Sequence, residues 1–247
     1  MRIDKILANS GYGSRKDVKK LLRAKAVTVN GAIIRDAAAH VDPEKDFIFV
    51  GDDQVRYQEF IYLVMNKPAG VISATEDRVH ETVLDLLSEA DFSREPFPVG
   101  RLDIDTEGLL ILTNDGKFAH EVLAPKKHVD KTYYAQIAGL VTPADIAAFA
   151  KGVILKGNAT KGEEDYETKP AVLKILTTDT ETGTSEIEVT ITEGKFHQVK
   201  RMFESVGKTV LYLKRIQMGK LVLDETLPLG AYRELTEAEL ALVLTRD

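Results

Sequence analysis

Hydrophobic positions along this chain of 247 residues fall into two periods, and the switches between them mark out its elements. Ile3, Ile6 and Leu7 recur at helical spacing and stop at Gly11, which predicts a short helix. Val18, Leu21 and Leu22 repeat that spacing behind Ser14-Arg15-Lys16-Asp17, a capping box that opens a second helix. The polar positions of this helix, Arg15, Lys16, Lys19, Lys20 and Arg23, point away from the apolar stripe. The period then drops to two. Val27-Thr28-Val29 and Ala32-Ile33-Ile34 flank Asn30-Gly31, a pair suited to the positive φ angles of a type I′ hairpin.

A polar, turn-rich stretch over 51–59 separates this unit from a second core, so we expect one domain over 1–59 and another over 60–247. The second opens with the strand-like run 61–65, which leads into Asn66-Lys67-Pro68-Ala69-Gly70. Further strands are expected over 131–139, 171–177, 185–191, 210–215 and 221–223. Helices are expected over 82–87, over 117–123 with Pro125 as its stop, and over 143–150 behind the cap Thr142-Pro143. Another starts within 193–202 and closes at Gly207, and the capping box Thr236-Glu237-Ala238-Glu239 begins the last; 92–98 reads as a connector and 157–168 as an exposed acidic loop. Strand–helix–strand repeats are too few for a doubly wound sheet. The pattern predicts an α+β chain, with a small N-terminal domain before a larger domain built on a mixed, mainly antiparallel sheet.

The second domain is organised around Val99-Gly100-Arg101-Leu102-Asp103-Ile104-Asp105-Thr106-Glu107-Gly108, followed by the apolar run Leu109-Leu110-Ile111-Leu112. That run is long enough for a buried strand, so the polar residues before it reach the core on a short approach bounded by glycines. Asp103 sits there with Arg101 two residues away. An Asp in such a loop either caps a turn or serves a ligand brought close by the glycines. Adjacent tyrosines 133 and 134 must point to opposite faces of their strand, one to the core and one to a cleft.

Charge sharpens the choice. The net charge is −6, which alone argues against a polyanionic partner. Yet residues 1–25 carry Arg2, Lys5, Arg15, Lys16, Lys19, Lys20, Arg23 and Lys25 against Asp4 and Asp17. Residues 195–220 carry Lys195, Lys200, Arg201, Lys208, Lys214, Arg215 and Lys220 against Glu204. Two compact basic zones on an acidic chain form the footprint of a nucleic-acid partner. Cysteine is absent, which removes disulfides and thiolate metal sites. The five histidines, at 40, 80, 120, 128 and 197, show no metal-ligand spacing, and no metal is expected. With no signal peptide and no apolar run of membrane-spanning length, the expected location is the cytoplasm.

Arg2-Ile3-Asp4-Lys5-Ile6-Leu7-Ala8, Gly13-Ser14-Arg15 and Val27-Thr28-Val29-Asn30-Gly31 resemble the S4 domain, a small RNA-binding module. Three stretches further on resemble the motifs of pseudouridine synthases, in the order and spacing of the RsuA-type branch. They are Gly100-Arg101-Leu102-Asp103 with Thr106, Gly108, Leu109 and Leu110; Lys131-Thr132-Tyr133; and Glu193-Gly194-Lys195 with His197-Gln198-Val199-Lys200-Arg201-Met202. Asn66-Lys67-Pro68, Thr75-Glu76-Asp77, Thr82-Val83-Leu84 and Thr168-Lys169-Pro170-Ala171-Val172-Leu173 look most like the small-subunit members, which modify uridine 516 of 16S rRNA.

The resemblance implies roles that the chemistry makes reasonable. Converting uridine to pseudouridine breaks the N-glycosidic bond and remakes it at C5, with no redox step and hence no cofactor expected. Asp103 is implied as the carboxylate that works at the ribose, and Lys200 as the cation that keeps it charged in a buried site. Tyr133 is implied to stack on the uracil, and Arg101 to occupy the space of the flipped base. Asp105 reads as structural, although at two residues' distance it mimics Asp103; Tyr134 reads as strand packing, and His197 and Gln198 as scaffolding. Arg2, Lys5, Arg15, Lys16, Lys19, Lys20, Arg23, Lys67, Lys195 and Arg201 are expected to contact RNA. The expected protein is a monomer acting on 16S rRNA, free or in a partly assembled small subunit. The alternatives are a sister synthase acting on 23S rRNA and a non-catalytic assembly factor that keeps the fold as a platform.

Overall fold

The computed structural model describes residues 1–55, 57–124, 129–157 and 164–245. Helices α1 (Ile3–Asn9) and α2 (Arg15–Arg23) precede strands β1 (Val27–Val29), β2 (Ala32–Ile33), β3 (Ile48–Val50) and β4 (Asp53–Gln54), which form a sheet of order β2-β1-β3-β4. The Ser14 hydroxyl accepts from the Asp17 amide and so caps α2. Asn30 and Gly31 turn the hairpin with φ of 50° and 81°. Ile3, Ile6, Leu7, Val18, Leu22, Val27 and Ile48 close a core of their own, and the five cations of α2 stay exposed.

The larger unit runs β5 (Tyr62–Lys67), α3 (Glu89–Phe92), β6 (Phe97–Pro98), β7 (Glu107–Thr113), α4 (Gly116–Leu123), β8 (Lys131–Ala138) and α5 (Pro143–Lys151). It continues with β9 (Ile154–Leu155), β10 (Tyr166–Glu167), β11 (Val172–Asp179), β12 (Thr184–Ile191), α6 (Gln198–Ser205), β13 (Thr209–Met218), β14 (Leu221–Val222), β15 (Tyr232–Glu234) and α7 (Glu237–Leu244). One nine-stranded sheet has the spine β11-β12-β8-β13-β7-β5-β15, with β14 beside β13 and β6 beside β7. Every pair along the spine is antiparallel except β13 with β7. The fold is therefore α+β with a mixed, mainly antiparallel sheet. The run Leu109–Leu112 is apolar at every position because β7 is buried on both faces. Leu110 and Leu112 join the core of Met65, Ala135, Phe149 and Phe203, while Leu109 and Ile111 join that of Val64, Phe118 and Val122.

Two local expectations are corrected. Residues 82–87 form a turn, because the Asp85 carboxylate accepts from both the amide and the hydroxyl of Thr82, at 2.7 and 2.8 Å. The short helix starts later, at α3, where the Ser88 hydroxyl accepts from the Asp91 amide. The end of the expected acidic loop is a strand, β10, paired with β9. Residues 158–163 of that loop, Pro125 and His128 lie outside the described residues.

Candidate active site

The register of the sheet brings the sequence motifs together. Tyr133 on β8 lies opposite Arg215 on β13, Arg215 opposite Gly108 on β7, and Gly108 opposite Lys67 on β5. Residues in one transverse row share a face. The loop that carries Asp103 enters β7 just before Gly108 of this row, and α6 carries Lys200.

That loop is fastened at three points. The Ser73 hydroxyl donates to the Leu102 carbonyl and accepts from the Leu102 amide, both at 3.0 Å. The Gly70 amide donates to the Ile104 carbonyl at 2.7 Å. Beneath the loop stands Lys67, whose ammonium donates to the carbonyls of Pro68 (2.9 Å), Asp103 (3.1 Å) and Thr106 (2.9 Å). Lys67 is 0% exposed. The expectation that it contacts RNA is therefore corrected: no phosphate reaches an ammonium enclosed by backbone carbonyls. Burial pushes its pKa down to about 8 against the upward pull of Asp105 and Asp103.

Asp103 and Lys200 meet as expected, with Lys200 Nζ 3.2 Å from Asp103 Oδ2. The same ammonium lies 2.6 Å from Asp105 Oδ1. Burial would lower the Lys200 pKa, but its hydrogen bond to Asp105 and the charge of Asp103 outweigh that and raise it. Exposure separates the two carboxylates: the Asp103 side chain is 27% exposed and lines the cleft, whereas that of Asp105 is 66% exposed and does not. His197 adds a third group, its Nε2 3.6 Å from Asp103 Oδ1. It holds a left-handed backbone conformation (φ 48°, ψ 35°) just before α6, with its ring stacked on Phe196 at 3.7 Å. Such strain in a non-glycine residue persists where the surroundings enforce it. Sequence reading took His197 as scaffolding and so missed its contact with Asp103. Gln198 is scaffolding, tying the Lys195 amide to the Glu193 carboxylate.

Tyr133 is buried in β8 and forms one wall of the cleft, while Tyr134, on the other face, packs edge-on against Tyr212. The cleft has a narrow lobe of 70 Å³, reaching Lys200 and Thr106, and a wide lobe of 760 Å³, reaching Lys131 and Arg215. Asp103, Tyr133, Arg101, Lys195 and His197 line both lobes. Arg101 is exposed and makes no ion pair among the described residues, which leaves its guanidinium available to a ligand. Lys195 sits over the Tyr166 ring, 4.4 Å from its centre.

The other cations divide. Lys5, Arg15, Lys16, Lys19 and Arg23 are exposed; Lys20 pairs with Asp17 at 2.7 Å, and Arg2 holds Asp4 through two hydrogen bonds. Arg201 is committed to the carbonyls of Phe196 and Lys156 and so shapes the cleft rim. Within the second basic zone, Lys208 is bound to the buried Asp145 at 2.9 Å and Arg215 is buried. That zone is a weaker surface feature than its composition suggests.

The family described as RNA pseudouridylate synthase matches residues 61–205, a span that holds the Asp103 loop, Tyr133 and Lys200. The chain belongs to this family. The synthase carries an S4 domain match over residues 1–48. It is 52% identical over 98% of its length to YtzG of Bacillus subtilis (strain 168), described as an uncharacterized RNA pseudouridine synthase, and covers 98% of that protein. It is 39% identical over 99% of its length to all of ribosomal small subunit pseudouridine synthase A of Escherichia coli (strain K12). A crystal structure titled as a pseudouridylate synthase aligns over 98% of this synthase and 99% of that chain, with a TM-score of 0.66 and 35% identity.

Proposed function

We propose that this synthase isomerises one uridine of small-subunit 16S rRNA, position 516, to pseudouridine in the cytoplasm, acting as a monomer on free or partly assembled RNA. The N1–C1′ bond breaks and a C5–C1′ bond forms; the C5 proton leaves and N1 gains one, so the product is an isomer. Asp103 is the carboxylate that works at the ribose. Attack at C1′ and a glycal-like route both begin with it ionised. Lys200 balances its charge, Tyr133 offers a ring face to the extruded uracil, and Arg101 takes the space that the base leaves. Residues 1–59 hold the RNA through the exposed cations of α2 with Arg2 and Lys5, and residues 60–247 perform the chemistry.

The observation that supports this reading most is the pairing of Asp103 with Lys200 at 3.2 Å in a cleft walled by Tyr133. The small-subunit relative, matched end to end, supports the choice of RNA. The test is to incubate the protein with unmodified small-subunit rRNA, free and in partly assembled particles, and to map pseudouridine at nucleotide resolution. One new site at the expected uridine, absent with Asp103→Asn, is the expected result. A site confined to 23S rRNA moves the substrate. No site on any RNA, despite tight salt-sensitive binding, overturns the catalytic reading in favour of a platform.

A further inference from the structure

Arg215 is the largest side chain in the fully buried core, at 2% exposure, and the reaction as described above does not use it. Its Nε donates to the Leu109 carbonyl at 2.7 Å. Its Nη2 is buried without a hydrogen-bond partner among the described residues. Beside it Lys131, also buried, donates to the Val129 carbonyl, and neither cation has an ion pair among the described residues. A buried guanidinium left part-satisfied is costly unless something else completes it. Both residues line the wide lobe of the cleft. Arg215 lies directly across the strand pair from Tyr133.

We propose that Arg215 Nη2 donates to the O4 carbonyl oxygen of the extruded uracil and so selects for that base; the proposal rests on the function given above. The ribose end of the nucleotide must lie at Asp103, near the cleft mouth. Only the part that enters furthest reaches a group as buried as Arg215. In uridine the atom across the ring from the glycosidic nitrogen is C4, and its oxygen is O4; O2 lies next to the glycosidic bond. Cytosine carries an amino group at that position, a donor facing a donor, and is rejected. The isomerisation also respects this contact. Moving the attachment from N1 to C5 rotates the ring about its N3–C6 axis, which exchanges the two carbonyls. Pseudouridine then presents O2 to the same donor, so Arg215 is satisfied on both sides of the reaction.

The test uses RNA in which the target uridine is replaced by 4-thiouridine or, in parallel, 2-thiouridine. Sulfur is the poorer acceptor. With the wild-type protein, kcat/KM is expected to fall about 10- to 100-fold for 4-thiouridine, because a buried donor loses its partner, and by clearly less for 2-thiouridine. In Arg215→Lys the 4-thiouridine penalty should shrink to less than about threefold, since no aligned donor remains to be lost. Because the thiouridine comparison is made on the wild-type protein, the proposal stays testable even if Arg215→Lys fails to fold. Equal rates for 4-thiouridine and uridine overturn the proposal. So does an Arg215→Lys loss that is identical for both bases, which would assign the guanidinium to a phosphate or to the fold. No conversion of unmodified RNA overturns the function itself, a failure distinct from either of these.

Discussion

Lys67→Met separates the fastening of the Asp103 loop from the charge that does the fastening. Methionine fills the volume but has no donor. It leaves the carbonyls of Pro68, Asp103 and Thr106, all within 3.1 Å of the ammonium, without their partner. Hydrogen bonds from a charged group contribute about 1.5–3 kcal/mol each. Against this stands the burial of the ammonium: a pKa lowered from 10.5 to about 8 is a penalty of roughly 3 kcal/mol at pH 7. The hydrogen bonds win, and the variant should be about 2–5 kcal/mol less stable at pH 7 in urea unfolding. The pH dependence carries the sharper test. Between about 8 and 10.5 the unfolded chain holds the Lys67 proton and the folded chain releases it, so wild-type stability rises with pH across that window. Lys67→Met lacks this gain, and its deficit should grow by about 2 kcal/mol between pH 7 and 9.5. Lys131, also lowered to about 8 by burial, keeps its own gain in both proteins. Turnover should fall about 10- to 100-fold as the Asp103 loop loosens. A variant as stable as wild type, or a deficit that shrinks toward pH 9.5, would refute the reasoning.

Two further outcomes follow from single features. Gly108→Ala puts a Cβ 2.3 Å from the Arg215 carbonyl oxygen, at a φ of +101°, so the parallel β7–β13 pair must part. We expect a loss of about 4 kcal/mol or more in thermal unfolding; a variant within about 1 kcal/mol of wild type would contradict the close approach. Replacing Arg15, Lys16, Lys19 and Arg23 together by Ala should lower the slope of log Kd against log salt by up to about 3, with kcat at saturating RNA retained. An unchanged slope in filter binding across a KCl series would remove the α2 face from the RNA interface.

The parts of the site legible in the sequence are those whose job depends on residue type and local geometry. Asp103 stands on a glycine-bounded loop before an apolar run, and Lys200 on the first turn of α6, but their pairing is read from the resemblance of the motifs, since spacing alone leaves Asp103 open between a turn cap and a ligand group. Lys67 was misread for a reason that no local pattern could repair. A lysine before a proline reads as a surface cation, and its burial is decided by the loop 103–106, nearly forty residues later, that closes over it. The helix expected over 82–87 failed for a more local reason. Its apolar spacing is helical, but the Asp85 carboxylate captures the Thr82 amide and hydroxyl and holds the backbone in a turn.

Arg215 was counted among the cations of a basic zone, and only strand register reveals its other character. The row Tyr133, Arg215, Gly108, Lys67 crosses the one parallel junction of the spine, between β13 and β7. At Gly108 the two backbones approach so closely that no side chain fits. The row therefore has an aromatic wall at one end, a cationic pillar at the other and a bare position between, beside which the guanidinium meets Leu109 while its Nη2 has no hydrogen-bond partner among the described residues. Asp103 enters this arrangement from above, on a loop fastened by the pillar. The motifs are far apart in sequence because a sheet composes its site across strands, and the buried cations Lys67 and Arg215 tie the Asp103 loop and β7 through backbone carbonyls.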